Sequence, residues 1–247
     1  MIEIESLGKS FGRNVGVDGL DLTIPRGSVF GFIGRNGAGK TTTIRLMMGL
    51  LVPDQGRIRL GGYDIARQRE QALAITGYLP DQPYLYDKLT PDELLAFVAG
   101  LHGLRRRHAV QRAAVLLTEM ALAAQRGDLI ETFSHGMKQR LALACALVHE
   151  PSILVLDEPM VGLDPQGARD LRTLLRRLAA GGSTIFLSTH SLAVAEEICD
   201  RFGILDQGRL IAEGDLDSLR ARVAGRGAGA SLETAFLEIV AAREGEW

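Results

Sequence analysis

Between the apolar run Val29-Phe30-Gly31-Phe32-Ile33 and a helical pattern carrying Ile44, Met47, Met48 and Leu51 on one face lies Gly34-Arg35-Asn36-Gly37-Ala38-Gly39-Lys40-Thr41. A buried strand that turns into a helix through such a loop constrains the chain to an α/β unit. Its glycines allow a tight turn and bring bare N–H groups close to an anion. The helix then offers its positive N-terminal end to the same charge. The set Gly34, Asn36, Gly37, Ala38, Gly39, Lys40, Thr41 and Thr42 therefore reads as a cradle for a nucleotide's phosphates. Lys40 would reach the β- and γ-phosphates, and the Thr41 hydroxyl would hold Mg²⁺. The chain has only four lysines, which makes one at this place more telling.

The rest of the chain extends the same pattern. Short strands are expected at Met1 to Leu7, Leu20 to Ile24, Val29 to Ile33 and Arg57 to Leu60. A mostly helical middle runs from about Thr90 to His149. Its first helix has a marked start, with Thr90 as cap, Pro91 in the first turn and Glu93 completing a capping box. After Pro151, Ile153-Leu154-Val155-Leu156 reads as a buried strand. A helix follows from Asp164-Pro165 to Gly181-Gly182, and Thr184 to Ser188 forms another strand. Alternating strands and helices imply a parallel sheet with ligands at the carboxyl ends of its strands.

Composition excludes little else. The 247 residues are 46% hydrophobic and 23% charged, ordinary for a globular protein. A net charge of −2 gives no reason to expect a nucleic-acid partner. Arg105-Arg106-Arg107, the one tight basic run, reads as a solvated helix start. Cys145 and Cys199 sit in apolar patterns and read as reduced core residues of a cytosolic protein. The start of the chain lacks the form of a signal peptide, and no apolar run is long enough to cross a membrane. Val223 to Ala230 is rich in Gly and Ala, and an amphipathic helix with Leu232, Phe236, Ile239 and Val240 follows.

Three further segments carry chemistry. Asp157-Glu158 ends a buried strand, where Asp157 would hold Mg²⁺ directly or through water and Glu158 would orient or deprotonate an attacking water. His190 ends the later strand facing the same crevice, within reach of a γ-phosphate or that water. A histidine there also reads as a helix cap or surface residue, with Ser191 as the cap. Ser134 and Gly136, in Phe133-Ser134-His135-Gly136-Met137, start an apolar helix. They read either as a second anion site or as a capped core helix.

Taken together, the segments resemble the ATP-binding cassette family, the nucleotide-hydrolysing subunits of transporters, from Ile2 to about Leu219. Gly34 to Thr41 matches the Walker A loop, and Ile153 to Asp157 matches Walker B with Glu158 at the catalytic glutamate. Phe133 to Met137 stands at the family signature, Gly162-Leu163-Asp164 at the D-loop and His190 at the switch histidine. Phe11 lies where the family stacks an aromatic ring on adenine; read alone, it is a hairpin packing residue. The resemblance implies a P-loop NTPase core with a mostly parallel sheet, an N-terminal antiparallel β-subdomain and an inserted α-helical subdomain. It implies an ATPase domain over residues 1–219, with its core at about 1–88 and 150–219 and the helical part at about 89–149. A helical tail is expected over 220–247.

It further implies that ATP and Mg²⁺ are bound between two cassettes paired head to tail, a homodimer being the simpler form. Ser134 and Gly136 would then serve the partner's γ-phosphate. The signature departs from the common Leu-Ser-Gly-Gly by carrying His135, which adds a side chain near the phosphates and a weak pH dependence. Tyr78 to Pro83 leaves either Asp81 or Gln82 at the glutamine position that contacts Mg²⁺. These variations, with the segment Ser231 to Val240, are similar to exporter-type cassettes that serve a separate membrane permease on the cytoplasmic side. Membrane contact would be indirect, through that permease. An importer subunit would use the same chemistry. A nucleotide sensor that hardly hydrolyses is another reading. A soluble cassette acting on DNA or ribosomes is disfavoured, since the chain has one cassette and no heptad run.

Overall fold

The computed structural model describes residues 1–223 and 231–244. The chain opens with a long hairpin, β1 (Ile2–Phe11) and β2 (Asn14–Ile24), turning at Gly12-Arg13. Next come β3 (Val29–Ile33), α1 (Lys40–Met47), β4 (Gln55–Leu60), β5 (Tyr63–Asp64), α2 (Arg69–Ala74) and β6 (Thr76–Leu79). The helical middle is α3 (Pro91–Leu101), α4 (Arg106–Glu119) and α5 (His135–Leu147). Strand and helix then alternate again: β7 (Ile153–Asp157), α6 (Pro165–Ala180), β8 (Thr184–Thr189), α7 (Leu192–Ile198) and β9 (Arg201–Asp206). β10 (Arg209–Gly214), α8 (Leu216–Ala221) and α9 (Leu232–Glu244) complete the described chain.

The strands form two sheets. One is antiparallel, in the order β2-β1-β4-β5; the other has six strands, β10-β9-β3-β8-β7-β6. In the larger sheet β9, β3, β8, β7 and β6 run parallel and only β10 is antiparallel. Successive strand residues face opposite sides. Phe30, Phe32, Val155 and Phe186 therefore pack with Ile44 and Met47 of α1 and with Ile2, Ile4, Leu20 and Leu60 of the antiparallel sheet. Val29, Ile33, Leu154, Leu156, Ile185 and Leu187 point the other way, into a core shared with α3, α4, α5, α6 and α9. The expected α/β class, with its N-terminal antiparallel sheet and inserted helices, is the observed one.

Local signals explain the helix ends. Thr90 and Glu93 close a reciprocal capping box over α3. The Asp164 carboxylate accepts from Gly167 N–H at 2.8 Å to start α6. The arginine run is exposed at the start of α4, as expected. Cys199 is buried, whereas Cys145 is only half-buried.

The chain departs from the sequence reading in three places. β1 and β2 run well past the expected Leu7 and begin before the expected Leu20. Their outer parts mix buried and exposed residues without regular alternation, and register shifts near Leu7 and Lys9 break the pattern that marks a strand. β9 and β10 were not anticipated, since their apolar stretches, Phe202 to Leu205 around Gly203 and Leu210-Ile211-Ala212, are short. A Cβ at Gly203 would lie 2.9 Å from the Phe30 ring, so the small residue lets the strand pack. Finally, α8 straddles the expected boundary at 219/220, and Leu232, Ala235, Phe236 and Val240 of α9 join the main core. Of the Gly/Ala-rich segment, residues 224–230 lie outside the described ones.

Candidate functional site

Because β3, β8, β7 and β6 are parallel neighbours, the segments leaving their carboxyl ends meet at one sheet edge. They border a cleft of about 320 Å³ whose lining includes Asn36, Lys40, Thr41, Asp81, Asp157 and His190.

One wall is the loop between β3 and α1. Gly39 adopts φ +110° at the helix N-cap, and a Cβ there would lie 2.3 Å from the Gly16 carbonyl oxygen. Only glycine satisfies both the left-handed backbone and that approach. The Lys40 ammonium is buried and donates to the Gly34 carbonyl at 2.7 Å and the Arg35 carbonyl at 3.2 Å. Burial draws its pKa down, and the nearby Glu158 and Asp157 carboxylates oppose this. Thr42 lines the same wall. Gly34 and Ala38 shape the loop from behind: Ala38 donates to Arg35 and accepts from Gly208.

The opposite wall carries the carboxylates. Asp157 is buried and accepts hydrogen bonds from the Ser188 hydroxyl and the Thr41 side chain. Burial raises its pKa, and those two bonds hold it down. The next residue, Glu158, has φ +50°, a left-handed conformation that a non-glycine residue holds at a cost. Its N–H donates to the Ser188 carbonyl at 3.0 Å. Thr189 Oγ1 donates to Glu158 Oε2 at 3.1 Å, and His190 Nδ1 lies 2.9 Å from Oε1. Both carboxylate oxygens are thus held from β8 and its end. Ser191 begins α7 without a side-chain cap bond; its N–H donates to Thr189 Oγ1 at 3.1 Å.

Ser188 and Thr189 were not singled out in sequence. Their signal was present: two hydroxyl residues closing an otherwise apolar strand. Their partners depend on the β7–β8 register, in which Asp157 pairs with Ser188.

Asp81 lines the cleft beside these groups, whereas its exposed neighbour Gln82 does not. The Thr41 hydroxyl and the Asp157 and Asp81 carboxylates supply only oxygen donors, a set that suits a hard divalent cation. Phe11 is 47% exposed and stands just outside the cleft. Its ring passes 3.0 Å from the position a Gly16 Cβ would take, beside the Thr42 methyl.

Ser134 and Gly136 are not brought into this cleft. Ser134 caps α5, accepting from Met137 N–H at 3.3 Å. Gly136 instead faces Gly162, whose carbonyl oxygen lies 2.9 Å from the position of a Gly136 Cβ. The His135 imidazole packs over Gly162, rather than over the chain's own phosphate loop.

A family model described as ABC transporter matches residues 17–161. The linearmycin resistance ATP-binding protein LnrL of Bacillus subtilis is 39% identical over 225 residues, covering 91% of this chain and 72% of that protein. The daunorubicin resistance ATP-binding protein DrrA3 of Streptomyces coeruleorubidus is 40% identical over 224 residues, covering 91% of this chain and 71% of that one. A solved ATP-binding subunit of an ABC transporter superposes with a TM-score of 0.91 at 36% identity, covering 97% of this chain and 99% of that one.

Proposed function

The chain belongs to the ABC transporter family as an ATP-binding, ATP-hydrolysing subunit, and on that premise we propose that it powers an exporter by clamping ATP between two copies of itself. The names of the relatives, which speak of resistance to linearmycin and daunorubicin, support export over import.

The geometry supports the following roles. Amides of the 34–42 loop and the Lys40 ammonium bind the phosphates, at the positive end of α1. Thr41 and Asp157 would hold Mg²⁺, with Asp81 in preference to Gln82 because Asp81 faces the cleft. Held by those residues, the cation would supply positive charge to offset what develops on the phosphates. Glu158 polarises the attacking water. Thr189 and His190 fix its carboxylate, and His190 steadies the γ-phosphate end. Phe11 stacks on the adenine at the rim. Ser134 and Gly136 of one copy complete the site of the other.

The single observation that carries this reading is Glu158, held at both oxygens and aimed into the cleft that contains Lys40. A Glu158→Gln variant tests it: phosphate release should fall by about 10²–10⁴-fold while ATP still binds. Undiminished turnover would remove Glu158 from this role.

The helices at about 89–149 dock on a separate membrane permease. Phe97 and Leu101, one turn apart on α3, are exposed, and Tyr86, just before these helices, meets Phe97 edge-to-face at 5.7 Å. No described helix is long and apolar enough to cross a membrane. We place the subunit on the cytoplasmic face, held there through the permease.

A further inference from the structure

A nucleotide joins its base to its phosphates through one ribose, so a site that grips both must set the base platform relative to the phosphate loop. Phe11, the ring at the rim of the cleft, stands at the tip of the β1–β2 hairpin, paired with Asn14 across the Gly12-Arg13 turn. The ladders alone give this tip little support. Pairing between β1 and β4 ends at Gly8, opposite Gln55, so Lys9, Ser10 and Phe11 lie past it. On the other side, the β1–β2 register shifts between Leu7 and Lys9 and again between Lys9 and Ser10. Phe11 is exposed, so packing does little to order it.

Asp54, in the segment between α1 and β4, supplies the missing hold. Its N–H donates to the Gly8 carbonyl at 2.9 Å. Its carboxylate accepts from the Lys9 ammonium at 2.7 Å and, through the other oxygen, from the Ser10 N–H at 2.8 Å. One residue thus grips the three that precede Phe11. The Lys9 ammonium, and then the Ser10 N–H, hold the Asp54 carboxyl below the usual carboxylate range, so it is ionised at neutral pH. Placed in this way, the Lys9 ammonium lies 5.8 Å from the centroid of the Phe11 ring, within cation–π range. The segment is itself tied to α1, since the Leu50 and Leu51 N–H groups donate to the Arg45 carbonyl at 2.8 and 3.2 Å. Because α1 begins at Lys40, one anchored stretch runs from the phosphate loop to the hairpin tip.

We infer that Asp54 is a positioning residue for the nucleotide base: through Gly8, Lys9 and Ser10 it holds the Phe11 ring in register with the Lys40 cleft. Asp54 acts through these residues rather than by contact with the nucleotide. This role rests on Phe11 being the ring that stacks on adenine. A ring held in place before the base arrives loses less freedom on binding, and the affinity gained in that way depends on the base alone. A bare diphosphate would not sense it. An exposed ion pair adds little to the stability of the fold, so loss of Asp54 should show in recognition of the base rather than in folding.

Calorimetry on the full chain with magnesium compares ADP with inorganic pyrophosphate, neither of which carries a γ-phosphate to lose. Asp54→Ala should weaken ADP binding by about 3–10-fold and change pyrophosphate binding by less than about 1.5-fold. Asp54→Asn keeps an acceptor for the Ser10 N–H and loses the charge facing Lys9. It should fall between the two and carries the test if Asp54→Ala does not fold. In a Phe11→Ala chain, adding Asp54→Ala should move ADP affinity by less than about 1.5-fold, because the ring that Asp54 places is gone. Three results would overturn the inference: ADP affinity undiminished in the Asp54 variants, equal losses for ADP and pyrophosphate, or a full ADP loss from Asp54→Ala that persists without Phe11. The stacking role is read separately. Phe11→Ala alone should weaken ADP binding by about 5-fold or more. No change there would overturn the stacking role and the Asp54 role with it, whereas a Phe11 effect without an Asp54 effect would overturn the Asp54 role alone.

Discussion

His190 Nδ1 lies 2.9 Å from Glu158 Oε1, joining the residue after one parallel strand to the residue after its neighbour. Thr189 grips the other carboxylate oxygen. This two-point hold compels a backbone that carries φ +50° at Glu158 to present its side chain in one orientation.

Thr189→Val removes one of the two contacts while keeping the shape of the strand. The expected result is a kcat lower by about 3–10-fold, with ATP affinity unchanged, since the lost bond orients Glu158 and touches no phosphate. Steady-state kinetics together with nucleotide titration separate the two effects.

Lys40→Ala acts on binding instead. The ammonium is the buried cation of the phosphate loop, and its loss should weaken ATP binding by about 10–100-fold. Isothermal titration with ATP and magnesium measures this directly. The fold should persist, because Lys40 bonds only to carbonyls of its own loop.

Gly162→Ala tests the contact between signature and D-loop. Gly162 has φ +79°, and a Cβ there would fall 2.1 Å from His135 Cδ2. Backbone strain and overlap with the ring should together cost about 1–3 kcal/mol in urea denaturation. Adding His135→Gly should recover only the part due to overlap, since the left-handed backbone remains.

Much of this was legible in the sequence, and for local reasons. The phosphate loop, the Thr90–Glu93 box and the Asp164-Pro165 start each depend on residues within a few positions of one another. What escaped depends on distant pairing. Ser188 and Thr189 gain their roles from the β7–β8 register. At Gly203 of β9 the lack of a side chain matters only because the Phe30 ring packs there. The packing of the His135 imidazole on Gly162 is likewise set by tertiary approach. Asp81 and Gln82 were indistinguishable in the sequence, and only the direction of the chain after β6 sets Asp81 toward the cleft.

A pH effect on stability should come from His149. Its ring stacks on His102 with centroids 3.7 Å apart, linking the end of α3 to the segment after α5. Burial, and then the neighbouring imidazole, push its pKa down to about 4 from an ordinary 6.5. The unfolded chain takes up a proton near 6.5 and the folded chain holds it off until about 4. Stability contributed by the neutral ring is therefore present above 6.5 and is lost as pH falls toward 4. The loss should be on the order of 1 kcal/mol, allowing for the ring's partial exposure. Urea midpoints across that range should slope upward with pH, and His149→Phe should flatten the slope.

On the proposed reading each nucleotide cleft is half a site, to be completed by Ser134 and Gly136 of a second cassette. Light scattering of the Glu158→Gln variant, saturated with ATP and magnesium, tests it most directly. The account predicts a mass twice that of the chain, falling to the single-chain mass when ATP is removed. A single-chain mass with ATP bound, at every protein concentration, would contradict it.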